Sequence, residues 1–197
     1  QRVSRTGAAF TLAGNDMSNT HKVFLSYHHA LDESYKNIFE LRFGNVFGAI
    51  VPGSVTDGDI DPNLSTETIR QKIRDEYLRD TSVTVVLIGA QTWQRKHIDW
   101  EIGSSIRQTK TNPRSGLLGI LLPSYPRKDT SKYNPHTIPP RLYDNIQCGF
   151  AAIYNWSEDA NTVQGWIHQA YLRKSTKEPD NSRTSFGKNR TGTEWSD

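Results

Sequence analysis

The segment 82–106 constrains the fold most, because within it a buried strand gives way to a helix. Residues 82–88 are an unbroken run of β-branched and aliphatic side chains that stops at a glycine. Such a run is typical of a strand buried on both faces of a parallel sheet. Ile98, Ile102 and Ile106 then recur every four residues, which places one apolar stripe along a helix. We therefore predict a central strand, a short loop and an amphipathic helix.

Further apolar runs predict four more strands, at 23–27, 46–51, 117–122 and 150–154. Segments with helical spacing separate most of them, whereas 123–140 has no period and predicts an extended loop. Strands and helices alternate, and no Gly-x-Gly-x-x-Gly follows the first strand. We therefore predict an α/β, flavodoxin-like three-layer fold with a five-stranded parallel sheet in the order 2-1-3-4-5.

The ends of the chain differ from its middle. Residues 1–20 show no sustained periodicity and contain the single methionine, Met17, so we interpret them as a disordered leader or a remnant of an expression vector. Residues 21–173 are expected to form one domain. Residues 174–197 are polar and charged, and they cannot bury enough apolar area to offset their ordering entropy. They predict a flexible C-terminal tail.

Composition excludes several classes of function. No apolar run approaches the roughly 20 residues that span a bilayer, so we expect no membrane partner. The net charge is +3, but the basic excess lies in the two terminal segments and the body is neutral, so we expect no nucleic-acid partner. The single cysteine, Cys148, excludes an internal disulfide and favours a cytoplasmic location, and we expect its thiol to be buried.

Glu101 is the first candidate for a functional side chain. In the predicted strand order the topological switch point lies between strands one and three, and a crevice forms there. Glu101 lies in the helix after strand three, beside Ile102, so we expect its carboxylate near the rim of the packed face and within reach of that crevice. An acid in the first turns of a helix also suits the helix dipole. The residues alone leave both interpretations open.

Other side chains are expected at the same edge of the sheet. Ser26, Tyr27, His28 and His29 come at the end of strand one. One interpretation is that one of the two histidines contacts a ligand phosphate or ribose. The other is that both are simply polar residues at the end of the strand. Trp93 either stacks on a flat ring or covers the edge of the sheet.

The sequence predicts no metal site. Asp57, Asp59 and Asp61 resemble half of a calcium-binding loop. However, Pro62 stands where such a loop requires glycine, and Thr68 where it requires a bidentate glutamate. We therefore interpret the three acids as ordinary loop residues.

Three segments together resemble a known family. They are V-F-L-S-Y-H-H at 23–29, T-V-V-L-I-G at 84–89 and T-W-x(6)-W-E-I at 92–102. These resemble the TIR-like domain proteins of bacteria, especially the TIR protein of the Thoeris antiphage system, and the likeness in element order covers 22–172. Animal and plant TIR domains begin this helix with Ser-x-Trp-Cys-x-x-Glu. Here Trp100 directly precedes the glutamate and the matching cysteine is absent, so the likeness is to the bacterial branch.

The resemblance implies a function. Enzymatic TIR domains cleave NAD at the nicotinamide glycosidic bond with a glutamate on this helix, and Glu101 matches that position. NAD is then the substrate, no further cofactor is needed, and a cyclic ADP-ribose isomer is the diffusible product that activates a separate effector. Weaker candidates for lining the site are Ser26, Tyr27, His28 and Trp93. The alternative is a non-catalytic TIR module that forms homo-oligomers or binds a partner protein.

Overall fold

A computed structural model of the chain describes residues 1–2, 20–45, 49–51, 55, 60–61, 63–109 and 112–196. One sheet of five parallel strands lies at its centre, in the predicted order 2-1-3-4-5. Part of the predicted second strand, 46–48, lies outside the described residues. The strands are β1 (Lys22–Ser26), β2 (Ala49–Val51), β3 (Val83–Ile88), β4 (Gly116–Leu121) and β5 (Ala151–Asn155).

Helices cover both faces of the sheet. They are α1 (His29–Phe43), α2 (Thr66–Lys72) with its π-helical continuation Ile73–Tyr77, α3 (Lys96–Ser105), α4 (Pro140–Gln147) and α5 (Ala160–Thr176). Helices α1 and α5 pack on one face of the sheet, and α3 and α4 pack on the other. This arrangement confirms the predicted three-layer α/β fold.

Strand β3 is the centre of the sheet, as predicted. All six of its residues are buried, and it pairs with β1 on one side and with β4 on the other. In this register Ser26, the last residue of β1, lies opposite Val86. The carboxyl ends of the central strands therefore meet at one edge, where α1 and α3 begin.

Helix α4 was not predicted, because two of its inward positions are polar. Arg141 and Asn145 are both fully buried, next to the buried Leu142. A search for apolar residues at helical spacing does not register arginine and asparagine as core positions. The predicted loop after β4 therefore ends in a helix that the apolar pattern does not reveal.

The prediction of a flexible C-terminal tail was wrong. Helix α5 continues to Thr176, and residues 177–196, which we call the C-terminal strap, pack against α3 and α4. Within the strap Phe186 is 7% exposed and Trp195 is 3% exposed. Of the predicted leader, Gln1 contacts Tyr133, whereas 3–19 lie outside the described residues.

Two further expectations concern accessibility. Cys148 is exposed, which corrects the expectation of a buried thiol: it follows the end of α4, at the surface. Within the described ranges, no helix combines the length and the apolar character needed to cross a membrane.

Candidate active site

Glu101 lies at the switch point between β1 and β3, but deeper than predicted. Its side chain is completely buried, whereas the sequence placed it near the rim of the packed face. Glu101 Oε2 accepts a hydrogen bond of 2.5 Å from the Ser26 hydroxyl, and Oε1 accepts one of 2.6 Å from the backbone N–H of Val55. The carboxylate thus joins three parts of the chain: α3, the end of β1 and the segment after β2.

Strand alternation decides which residues at the end of β1 reach Glu101. Successive side chains of a strand point to opposite faces of the sheet. Ser26 faces α3, whereas Tyr27 packs in the cluster on the face covered by α1 and α5. The Tyr27 hydroxyl donates to Glu33 Oε2 at 2.7 Å. Burial, followed by this hydrogen bond, raises the pKa of Tyr27. The structure therefore brings Ser26 to Glu101 but directs Tyr27 elsewhere.

Histidines from two elements converge near the same edge. His28, 7% exposed, immediately precedes α1, and its carbonyl oxygen accepts the backbone N–H of Asp32 at 2.8 Å. The His29 ring lies 4.5 Å from the Tyr27 ring and 5.8 Å from that of His97, at the start of α3. The predicted strand order brings the segment that ends at His97 to the end of strand one, but sequence reasoning did not single out His97 as a candidate site residue.

Trp93 is buried in the short 3₁₀ turn Thr92–Gln94, which connects β3 to α3. Only 2% of its surface is exposed. Its ring is therefore not presented to solvent for stacking in this conformation.

Asp32 is a second buried acid at this edge, and sequence reasoning did not place it in the site. The hydroxyls of Thr92 and Ser124 each donate to its carboxylate at 3.3 Å. Burial raises the pKa of Asp32, and the two hydroxyl donors oppose that effect. A Cβ on Gly89 would overlap this carboxylate. The sequence signal that could have found Asp32 is an acid in the first turn of the helix after strand one, combined with a glycine at the end of strand three.

The arrangement suits the stabilisation of positive charge more than acid–base exchange with solvent. A fixed carboxylate in a water-free site interacts with a developing cation far more strongly than it does in water. A ligand group reaches this carboxylate only by displacing the Val55 N–H, and the Ser26 hydroxyl can remain its donor. Among the described residues, no group of three or more His, Cys, Asp or Glu side chains is arranged to hold a metal ion.

Comparison with known proteins places this chain in a family. A family model described as the TIR-like domain of the Thoeris protein ThsB matches residues 24–127, which include both Ser26 and Glu101. A search of curated proteins finds no match. The matched segment covers more than half of the chain and contains the whole of β2, β3 and β4 together with the last three residues of β1. This chain belongs to the family of TIR-like domains of the Thoeris protein ThsB.

Proposed function

We propose that this chain is an enzyme of antiphage defence that cleaves NAD at the nicotinamide glycosidic bond, with Glu101 as the catalytic residue. One observation carries the proposal: a completely buried carboxylate lies at the topological switch point, is oriented by the Ser26 hydroxyl, and falls within the family match. Ligands of open α/β sheets bind at such switch points.

The chemistry explains why a carboxylate is needed. The bond between ribose C1′ and the nicotinamide nitrogen breaks, the electron pair leaves with nicotinamide, and C1′ becomes oxocarbenium-like. Glu101 holds the ribose hydroxyls and stabilises this positive charge. Attack by water, with loss of a proton, gives ADP-ribose. Attack by an atom of the same molecule gives a cyclic isomer of ADP-ribose, a diffusible signal for a separate effector.

Substrate entry requires a change at Glu101. Both carboxylate oxygens already accept short hydrogen bonds, one of them from the Val55 N–H. Ribose hydroxyls can replace that donor only if the backbone at Val55 moves away. The proposal therefore includes a resting form, in which the Val55 N–H is hydrogen-bonded to the Glu101 carboxylate, and a working form, in which the ribose hydroxyls are.

The same observation favours a second candidate, a non-catalytic TIR module that self-associates or binds a partner protein. A buried acid whose two oxygens are both satisfied is also what a purely structural glutamate looks like. In that case Glu101 joins β1 to the segment after β2 and no substrate reaches it. The two candidates predict different results for one substitution.

Glu101→Gln is the decisive variant, because the amide fits the same contacts. Its oxygen can accept the Val55 N–H, and its NH₂ can donate to Ser26 Oγ, which also has acceptor capacity. The fold should therefore persist while the negative charge is lost. If Glu101 is catalytic, NAD turnover should fall by about 10²-fold or more.

The assay is incubation with NAD, with and without extract of infected cells, followed by mass-resolved chromatography of nicotinamide and the adenine-containing products. Glu33→Gln is the matched control, because Glu33 is an exposed carboxylate near the same edge and it should leave turnover unchanged. A product lighter than ADP-ribose by one water, absent with Glu101→Gln, supports the cyclase. Turnover independent of Glu101, or no turnover in either condition, favours the non-catalytic module.

A further inference from the structure

The C-terminal strap runs antiparallel to α3 and contacts it over almost its whole length. Going towards the C-terminus of the strap, Asn181 Nδ2 donates to the Gly103 carbonyl at 2.9 Å, and the Phe186 carbonyl accepts the Trp100 indole N–H at 2.8 Å. Further along, the Arg190 N–H donates to the backbone of the turn before α3. The strap thus follows one side of the helix that carries Glu101.

The strap also completes the start of α3. The first N–H groups of a helix have no partner within it and require an acceptor from outside. Arg95, at the N-cap position, provides no side-chain hydrogen bond. Asn189 Oδ1 accepts the Lys96 N–H instead, at 2.9 Å. The residue that caps α3 therefore lies 93 positions further along the chain.

The contacts with the strap fall on a different side of α3 from Glu101. Lys96, Trp100 and Gly103 follow the spacing of one helical stripe. Glu101 is one residue beyond Trp100, about 100° around the helix, and it faces Ser26 at the end of β1. The helix is therefore fixed from two sides, by the sheet edge and by the strap.

We propose that the strap is a positioning element for Glu101, with Asn189 as its principal positioning residue. By capping α3 and fixing its position along the sheet edge, the strap keeps the Glu101 carboxylate where a ribose must meet it. This inference rests on the proposed function, because it assigns to Asn189 an effect on the chemical step. The family match ends at residue 127, so the strap lies outside the matched segment.

The test compares Asn189→Ala with Asn189→Asp, which keeps an oxygen acceptor at the cap. Loss of a cap weakens the first turn of a helix, and small displacements of a catalytic group lower turnover strongly. We expect Asn189→Ala to lower kcat for nicotinamide release about fivefold, with KM changed less than twofold, and Asn189→Asp to restore kcat. Lys188→Ala is the matched control, because Lys188 is an exposed neighbour on the same strap.

Amide hydrogen exchange of α3 is measured on the same variants in the resting protein. We expect about fivefold faster exchange in the first turn of α3 with Asn189→Ala, and wild-type exchange with Asn189→Asp. Unchanged exchange in Asn189→Ala, or altered exchange with an unchanged kcat, overturns the positioning role. Equal turnover by wild type and Glu101→Gln overturns the proposed function instead, and the exchange data still decide whether the strap holds α3.

Discussion

The buried ion pair between Asp99 and Arg141 offers the sharpest test of how α3 is held in place. Arg141 Nε donates to Asp99 Oδ1 at 2.8 Å and Nη2 donates to Oδ2 at 3.2 Å. The Asp99 side chain is 2% exposed and the Arg141 side chain is 0% exposed. The strap takes part as well, since the Phe186 N–H donates to Asp99 Oδ2 and Asn181 accepts from Arg141 Nη1. The pair therefore links α3, α4 and the strap.

Asp99→Ala should destabilise the fold strongly. It leaves the Arg141 guanidinium buried with Asn181 as its remaining described acceptor, and it removes the acceptor of the Phe186 N–H. Breaking a buried pair by deleting one partner costs about 3–5 kcal/mol, because the other charge is left uncompensated. That is a large part of the roughly 5–15 kcal/mol by which a domain is stable.

The assay is urea unfolding at pH 7, arranged as a double-mutant cycle with Asp99→Leu and Arg141→Met. Replacing both partners by apolar side chains should recover most of the loss, because no buried charge is then left unpaired. The exposed ion pair between Arg42 and Glu158 is the control, and Glu158→Gln should cost less than about 1 kcal/mol. A cost below about 1 kcal/mol for Asp99→Ala, or simple additivity in the cycle, would refute the reasoning.

Two further predictions concern stability. Gly89→Ala should lower the free energy of unfolding by about 2 kcal/mol, because the new methyl group would overlap the buried Asp32 carboxylate. Gly165→Ala should raise the free energy of unfolding by about 0.5–1 kcal/mol, because Gly165 lies on α5 with open space around it. Denaturant unfolding tests both variants, and a change of the same sign in the two free energies would contradict this prediction. Burial is the main cause that lowers the pKa of His21, and the charges of His168 and Lys174 lower it further, to about 4. His21 therefore stays neutral in the folded protein. The unfolded chain then binds the extra proton, and stability should fall as pH drops from 6.5 towards 4, by about 1 kcal/mol. His21→Phe, which keeps the stacking on Tyr171, should flatten that dependence in unfolding curves at pH 7 and pH 5.

The sheet could be predicted from sequence because its signals are local and apolar. Strands β3 and β4 are continuous hydrophobic runs, and the alternation of strands with helices fixes a parallel order. The same order placed Ser26 and Glu101 at one crevice. These predictions needed no knowledge of which distant residues touch.

The rest of the site depends on contacts that leave no local pattern. The Val55 donor is a backbone N–H, which every residue except proline has, so nothing in the sequence marks it. The strap was mistaken for a flexible tail because its composition is polar. It is held mainly by hydrogen bonds to α3 and by two aromatic anchors, Phe186 and Trp195, rather than by an apolar face. Composition measures apolar area and does not detect such contacts.

The exposed cysteine allows the attachment of the strap to be followed chemically. Cys148 is the only cysteine in the sequence, and its Sγ lies 3.6 Å from the carbonyl oxygen of Glu178, near the start of the strap. A strap that detaches removes this neighbour from the thiol. A variant whose strap is detached should therefore be alkylated at Cys148 at a different rate from the unmutated protein, because its exposed thiol has lost the Glu178 contact, and the difference can be measured without any substrate.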